Sequence, residues 1–380
     1  MKRVTLISSE YRPMPAAAST RISAWVEELS SHGFSAFVLT ALSAQAAPGI
    51  DRSVFRTPDN RANLPIRFLQ EALLGLDLGC RLFLRRRKTD FCIITSPPFF
   101  MAFICSLFAR LGKIAYIFDA RDRYPSVLFD LGILSPRGVL PRLLLKMERT
   151  IYENAVQVTT VTNGLLETFR KDFPRVDFRL LRNGFDENAF DKSSASVVKH
   201  DRFTIVYHGR LGRFYDLILL KRTIELVGCM DPEIRFLLIG ELPDEILDFG
   251  QDNLVILPAM PSHKLAQELA PCHLGICLLK DLPAMHSAFP AKAYDFIGAG
   301  LPLIVGSTGE LADLVRQSGC GLVFEGHCPE KVASEIVALK NDFKRMKTMI
   351  SEVLKVRELY GRRTCLREYL STMEQRQDAS

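Results

Sequence analysis

Charged side chains follow predicted strands at several points in the second half of the sequence. Arg210 stands directly after a strand that runs into Gly209, and Arg213 lies three residues further on. Lys292 begins a predicted helix that also contains Asp295. Cations at strand ends, together with the N–H groups of a helix N-terminus, suit the binding of phosphate groups. A solvated surface charge remains the alternative at each position.

Another charged group follows a predicted strand in the first half. Asp119, Arg121 and Asp122 come directly after the apolar run that begins at Ala115. Asp122 could accept the proton of an incoming hydroxyl group. Arg121 could balance negative charge that develops on a leaving group. A salt-bridged turn with a structural role is the alternative.

Several common chemistries lack their sequence signatures. The loop at residues 8–21 contains no Gly, so the G-x-G-x-x-G fingerprint of NAD dehydrogenases is absent, and no segment reads G-x-x-x-x-G-K-[ST]. No D-x-D follows a predicted strand, and the histidines show no metal-ligand spacing. His208, next to Gly209, is the histidine worth testing. The 9 cysteines are scattered without C-x-x-C, which predicts reduced thiols and a cytosolic protein.

Short β-rich apolar runs alternate with helical patterns along the whole chain. Such alternation is typical of parallel sheets that are covered by helices on both faces. A chain of 380 residues also exceeds the size at which a single core stops growing. We therefore predict an α/β protein with two Rossmann-like, doubly wound domains. The predicted parts are a first domain at residues 1–190, a linker at 191–202, a second domain at 203–355 and a C-terminal crossing helix at 356–380.

The longest uncharged stretch, residues 91–109, has the length of a membrane span. Pro97 and Pro98 lie in its middle, where they would remove backbone donors and stop a helix. A strand, a turn and a helix fit this stretch better. The N-terminal residues have only a short apolar run, so we expect no signal peptide.

The charge is unevenly divided between the two halves. Residues 1–200 carry 28 basic and 19 acidic side chains, whereas residues 201–380 carry 21 and 24. Two basic and apolar segments, residues 64–88 and 137–149, lie in the basic half and predict peripheral contact with an anionic membrane. Sheet-covering helices with cations at their C-termini are the alternative. Nucleic acid is a poor partner, because no known nucleic-acid-binding motif is present.

Eight short motifs occur in order along nearly the whole chain. They are Tyr11-Arg12-Pro13 with Ala18-Ser19-Thr20-Arg21, Thr95-Ser96-Pro97-Pro98, Asp119 to Pro125, Arg182-Asn183-Gly184-Phe185-Asp186, Tyr207 to Gly212, Phe289-Pro290-Ala291-Lys292, Asp295 to Pro302 and Gly306 to Glu310. In this order they resemble the GT-B glycosyltransferases of family 4. The resemblance is strongest to the bacterial branch that makes O-antigen, capsule and exopolysaccharide.

The resemblance implies a retaining glycosyltransferase whose two domains face each other across a cleft. The second domain would bind a UDP- or GDP-linked sugar, and the first would bind the acceptor. No obligatory metal is implied, because cations of the protein would replace it at the diphosphate. The implied roles are Arg210, Lys292 and Arg213 on the diphosphate, Asp295 on the ribose, Gly309 and Glu310 near the diphosphate or sugar, and Asp122 with Arg121 as the catalytic pair. A helix-capping role is the alternative for Glu310.

The sequence departs from the family pattern at two places. Ala16 and Ala17 occupy the family's Gly-Gly, where backbone comes close to the donor, and alanine restricts such an approach. Ser287 stands where the family has a second glutamate, eight residues before Asp295. These departures put the donor geometry in doubt.

We therefore expect a hexosyl- or N-acetylhexosaminyl-type glycosyltransferase, on the cytoplasmic face of the cell membrane. Its expected acceptor is a hydroxyl of a polyprenyl-diphosphate-linked glycan. A GT-B-like protein that binds nucleotide or glycan without turnover is the rival from another functional class. A sugar-nucleotide epimerase is a weaker alternative.

Overall fold

The computed structural model describes residues 2–14, 17–59, 63–130, 132–191, 197–212, 214–306 and 308–377. The chain divides into two compact units. The first consists of Met1–Arg182 together with Leu366–Ser380, and the second consists of Asn183–Cys365.

The first unit is built on a parallel β-sheet. Its strands are β1 (Arg3–Ser8), β2 (Ser35–Thr40), β3 (Ile50–Arg52), β4 (Phe91–Ser96), β5 (Ala115–Ala120), β6 (Gln157–Thr160) and β7 (Phe178–Leu180). Their order in the sheet is β3-β2-β1-β4-β5-β6-β7. The helices are α1 (Ala17–Ser31), α2 (Leu64–Leu84), α3 (Phe99–Leu111), α4 (Ser126–Asp130), α5 (Val139–Asn154) and α6 (Asn163–Asp172), with a 3-10 turn at Arg86–Lys88.

The central strands of this sheet are covered on both faces. In β1, β4 and β5 every residue after the first is buried. Helices on both faces explain why these strands read as continuous apolar runs rather than as alternating patterns. Helix α1 supplies part of the cover, because Ile22, Trp25 and Leu29 are buried at helical spacing.

Helices α2 and α3 pack closely through two glycines. A Cβ atom on Gly75 would lie 2.8 Å from the Cα of Met101, and one on Gly79 would overlap the ring of Phe108. A residue larger than glycine at either position would therefore prevent this close packing of α2 against α3.

Residues 91–109 form a strand, a turn and a helix, as predicted, and not a membrane span. They are β4, the turn at Pro97 and Pro98, and α3. The buried carboxylate of Glu71, on α2, accepts a hydrogen bond of 3.1 Å from the N–H of Phe100. This bond satisfies one of the free donors in the first turn of α3. Within the described part of the chain, no helix is long and apolar enough to cross a membrane.

The second unit is built on another parallel sheet. Its strands are β8 (Thr204–His208), β9 (Arg235–Ile239), β10 (Leu254–Leu257), β11 (Leu274–Leu278), β12 (Leu303–Gly306) and β13 (Gly321–Phe324), in the order β10-β9-β8-β11-β12-β13. The helices are α7 (Leu217–Met230), α8 (Asp244–Leu247), α9 (Ser262–Leu269), α10 (Pro283–His286), α11 (Ala291–Gly298), α12 (Glu310–Ser318), α13 (Pro329–Asn341) and α14 (Phe343–Leu359). The last helix, α15 (Arg362–Gln377), begins in this unit and continues into the first.

The units divide at Arg182, eight residues before the predicted end of the first domain at residue 190. Phe185 and Phe190 are the reason, because both are buried in the core of the second unit. Of the predicted linker at 191–202, residues 192–196 lie outside the described residues.

The predicted crossing helix at residues 356–380 consists of two helices. The end of α14 and the start of α15 are separated at Gly361, where a Cβ atom would overlap the carboxylate of Glu187. That carboxylate accepts a hydrogen bond of 2.9 Å from the N–H of Arg363 and caps α15. In the first unit, Arg367 of α15 donates to Glu28 of α1 at 2.9 Å.

Candidate functional site

The strand β8 ends in a sharp turn that exposes Arg210. After His208 the chain enters Gly209 with φ of +85°, a conformation that favours glycine. The N–H of Gly209 donates to the carbonyl of Ile239 at 2.7 Å, which ties the turn to the end of β9. Arg210 follows as an exposed side chain at the C-terminal edge of the sheet. Ligands of open α/β sheets bind at this edge.

Lys292 lies under this turn as a buried cation. A Cβ atom on Gly209 would lie 4.0 Å from the Cε of Lys292, and Lys292 is 5% exposed. Among the described residues, none accepts a hydrogen bond from its Nζ. The Nζ is 3.6 Å from the ring centroids of both Tyr207 and Tyr215. Burial lowers the pKa of Lys292 to about 7, although Cys277 and Asp295 oppose the shift.

His208 and Asp295 meet beside Lys292. The Nε2 of His208 is 3.4 Å from an Oδ of Asp295. Burial and the charge of Lys292 lower the pKa of His208 to about 3, so its ring is neutral near pH 7. Burial raises the pKa of Asp295 to about 7, against the opposing effect of Arg362 and Lys292. Since one quarter of the Asp295 side chain is exposed, its carboxylate stays accessible to a ligand.

A second turn, which contains Gly309 and leads into Glu310, lies close to the backbone of His286, next to Ser287. Gly309 has φ of +95°, and a Cβ atom there would clash with the carbonyl of His286. Glu310, half-buried, begins α12 directly after this glycine. Ser287 follows α10 and carries no charge. The acids near this segment are Glu310 and Asp281, and Asp281 lies 2.8 Å from the Nε2 of His286 and accepts a hydrogen bond of 3.3 Å from Thr308.

In the first unit, Asp119 is a buried structural residue. It is completely buried and accepts hydrogen bonds of 2.9 and 2.7 Å from Arg21 and of 2.7 Å from Thr159. Arg21 also donates to the carbonyl of Leu181 at 3.0 Å. The pair therefore joins α1, β5 and the end of the first unit.

Arg121 and Asp122 leave β5 with different surroundings. Arg121 donates to the carbonyl of Pro97 at 3.2 Å, which supports the turn after β4. Asp122 is exposed at the C-terminal edge of the sheet. Glu10, which was not among the predicted site residues, is half-buried in the loop after β1. Burial raises the pKa of Glu10, whereas the charge of Arg121 lowers it; its position after the first strand was the available signal.

Two predicted site positions cannot be placed. Ala16 and Arg213 lie outside the described residues. Ala17 is the first residue of α1. Nothing further is assigned to them from the geometry.

The two basic and apolar segments form helices with exposed apolar faces. On α2 these side chains share one stripe: Ile66, Leu69, Leu73 and Leu76. On α5 they are Val139, Leu140, Leu143 and Leu145. Helix α3 packs against both α2 and α5.

The four cations after α2 differ in their surroundings. Arg85 stacks on the ring of Phe37, and Arg86 stacks on that of Phe83. Arg87 and Lys88 are exposed. Only the second pair therefore combines full exposure with a charge available to a partner.

The known proteins that this chain resembles include several glycosyltransferases. Residues 17–184 match the family described as a glycosyl transferase 4-like domain. A D-inositol 3-phosphate glycosyltransferase of Catenulispora acidiphila is 24% identical over 210 residues, which cover 51% of this chain and 48% of the relative. The chain thus spans about half the length of this curated relative.

Solved structures resemble the whole chain in fold. Sucrose-phosphate synthase of Thermosynechococcus elongatus is 14% identical with a TM-score of 0.71, and the match covers 100% of both chains. HepE of Anabaena, solved with UDP-glucose, is 15% identical with a TM-score of 0.68 over 99% of this chain and 100% of its own. WaaG, a glycosyltransferase of lipopolysaccharide biosynthesis, is 12% identical with a TM-score of 0.59 over 94% and 95%. The chain has the GT-B fold, and its residues 17–184 match the family model of the glycosyl transferase 4-like domain.

Proposed function

We propose that the protein is a retaining glycosyltransferase of the hexosyl or N-acetylhexosaminyl type. Its donor is a UDP- or GDP-linked sugar, and its acceptor is a hydroxyl of a polyprenyl-diphosphate-linked glycan in surface polysaccharide synthesis. The observation that carries the proposal is Lys292, a buried lysine whose Nζ has no hydrogen-bond acceptor among the described residues and which lies beside the Gly209 turn of a GT-B fold.

The second unit supplies the donor site in this proposal. A diphosphate brings negative charge that Lys292 and Arg210 would balance, with Arg213 as a further cation. These cations take the place of a metal ion, so none is required. Asp295 would accept hydrogen bonds from the ribose hydroxyls. The turn at Gly309 and Glu310 would face the diphosphate or the sugar.

The first unit supplies the acceptor side. Asp122 is exposed at the end of β5 and would accept the proton of the attacking hydroxyl group. Arg121, which is held against the turn after β4, would balance charge on the leaving diphosphate. The likeness of the chain to HepE in its complexes with UDP and UDP-glucose supports a UDP-linked donor.

A nucleoside diphosphate should stabilise the protein. With EDTA present, UDP or GDP at a hundredfold excess over Kd should raise the free energy of unfolding by about 2.7 kcal/mol. A thermal-shift series with UDP, GDP, ADP and inorganic phosphate measures this effect and identifies the base of the nucleotide that binds. If no nucleotide shifts the unfolding temperature, the enzyme and its nucleotide-binding rival both fail.

Binding without transfer would support the rival. Ser287 favours it, because an uncharged side chain stands where the related enzymes carry glutamate. Single-turnover assays with the nucleotide sugar that binds and a lipid-linked acceptor separate the two. Nucleotide binding with no product from several acceptors would leave a nucleotide-binding protein.

The exposed faces of α2 and α5 would lie on the anionic inner face of the cell membrane. Arg87→Gln with Lys88→Gln should weaken binding to phosphatidylglycerol vesicles about thirtyfold, since each cation near such a surface contributes about 1 kcal/mol. Leu69→Ser with Leu73→Ser should also weaken it, because both side chains are exposed on the apolar stripe.

Vesicle flotation measures this binding. Leu359→Ser, at an exposed apolar residue of the second unit, is the matched control and should float like the wild type. If all variants float like the wild type, the two segments are ordinary sheet-covering helices and the proposed membrane contact fails.

A further inference from the structure

Two tyrosines hold the amino group of Lys292. Tyr207 is the fourth residue of β8, and Tyr215 lies just before α7. Their rings meet edge to face, with centroids 5.7 Å apart and an interplanar angle of 87°. The Nζ of Lys292 lies 3.6 Å from each ring centroid, within the range of cation–π attraction. We call Tyr207 and Tyr215 the aromatic seat.

When no ligand is bound, the buried position of Lys292 lowers the stability of the folded protein. A buried ammonium group without a hydrogen-bond acceptor loses the hydration that it has in water. Lys292 is also the second residue of α11, where the helix dipole repels a positive charge. The aromatic rings compensate only part of this cost. An anion at the same place would compensate both effects, because it attracts the cation and the helix N-terminus alike.

The aromatic seat also connects Lys292 to the turn that carries Arg210. The hydroxyl of Tyr207 donates to the carbonyl of Arg210 at 3.0 Å. The N–H of Tyr215 donates to the carbonyl of Gly212 at 3.0 Å, so its backbone closes the same loop. The two tyrosines thus connect Lys292, through their rings, to the backbone of the turn that carries Arg210.

We propose that Tyr207 and Tyr215 are positioning residues that hold Lys292 beside the Gly209–Arg210 turn, so that both cations meet one diphosphate. This inference rests on the proposed function and adds to it the residues that set the cation geometry. Neither tyrosine needs to touch the ligand. Tyr215 acts through its ring, and Tyr207 acts through its ring and its hydroxyl group.

The test is a double-mutant cycle on the affinity for UDP, or for GDP if that is the nucleotide bound. Tyr215→Leu removes one ring and should weaken binding by about threefold to thirtyfold, the range that a cation–π interaction implies. Tyr215→Phe keeps the ring and should bind more tightly than Tyr215→Leu. In a Lys292→Met background, Tyr215→Leu should have almost no further effect, because the cation that it positions is gone.

The possible results distinguish a failure of the proposed function from a failure of the positioning role of the two tyrosines. If the wild type binds neither UDP nor GDP, the proposed function fails. If the wild type binds and Lys292→Met does not, but Tyr215→Leu binds as the wild type does, the positioning role fails. Equal weakening by Tyr215→Leu with and without Lys292 would show a general structural effect and would also overturn it.

Discussion

Lys292→Met should make the protein more stable and nearly unable to bind its nucleotide. Removing one partner of a desolvated charge pair costs enough to weaken binding about a hundredfold. The folded protein meanwhile loses a buried ammonium group, and methionine fills the space between two aromatic rings well. Opposite changes in affinity and stability from one substitution are characteristic of a binding residue that the empty fold does not need.

The stability gain should depend on pH. The pKa of Lys292 is lowered to about 7 in the folded protein, from about 10.4 for a lysine in an unfolded chain. Between these values the unfolded chain binds more protons, so wild-type stability rises with pH. The advantage of Lys292→Met is therefore largest below pH 7 and disappears as the pH approaches 10. The groups that face this amine are Tyr207, Tyr215, His208, Cys277 and Asp295.

Urea unfolding across this pH range and isothermal titration with UDP and GDP measure the two effects. Lys331→Met, at an exposed lysine of α13, is the matched control and should change neither. A Lys292→Met protein that binds nucleotide like the wild type would remove Lys292 from the donor site.

Arg21→Met should lower the free energy of unfolding by about 3–5 kcal/mol, because it leaves Asp119 buried without its cation. Both side chains are at most 2% exposed, so water cannot replace the lost hydrogen bonds. Arg222→Met breaks an exposed ion pair with Glu225 and should leave stability almost unchanged.

The effect of Arg21→Met should shrink in acid. Burial alone would raise the pKa of Asp119, but Arg21 and Thr159 outweigh it and hold the pKa below its usual range. A lowered folded-state pKa contributes stability above about pH 4, and this contribution is lost as the pH falls through that pKa. Urea unfolding at pH 7 and at several values from about pH 4 down to about pH 2 tests the trend. A loss of stability that stays equal over this range would show that the effect does not depend on the charge of Asp119.

Strands that are buried on both faces could be predicted from the sequence, because they appear as continuous apolar runs. The strand expected in the uncharged stretch 91–109 is β4, and the apolar run that begins at Ala115 is β5. Ile50–Arg52 escaped prediction, since a three-residue edge strand with two charged residues has no apolar run. The units divide at Arg182 and the predicted first domain ends at residue 190, because the burial of Phe185 and Phe190 depends on a core formed by distant residues.

The candidate site could be predicted in part. The types and order of Arg210, Lys292 and Asp295 indicated a phosphate site, and the structure brings Lys292 close to Gly209 and Asp295. The aromatic seat could not be predicted, because Tyr207 and Tyr215 are more than 70 residues from Lys292 in the sequence. The structural role of Asp119 was also hidden, since its partner Arg21 lies on another element.

The close packing of α2 against α3 has a consequence for protein engineering. Gly75, Gly79 and Glu71 carry the contacts that hold α2 in place, and all three lie on its inner side. The outer residues Leu69 and Leu76 make little contribution to the core. Helix α2 therefore offers an exchangeable surface, on which polar residues can be introduced to improve solubility while the fold beneath is retained.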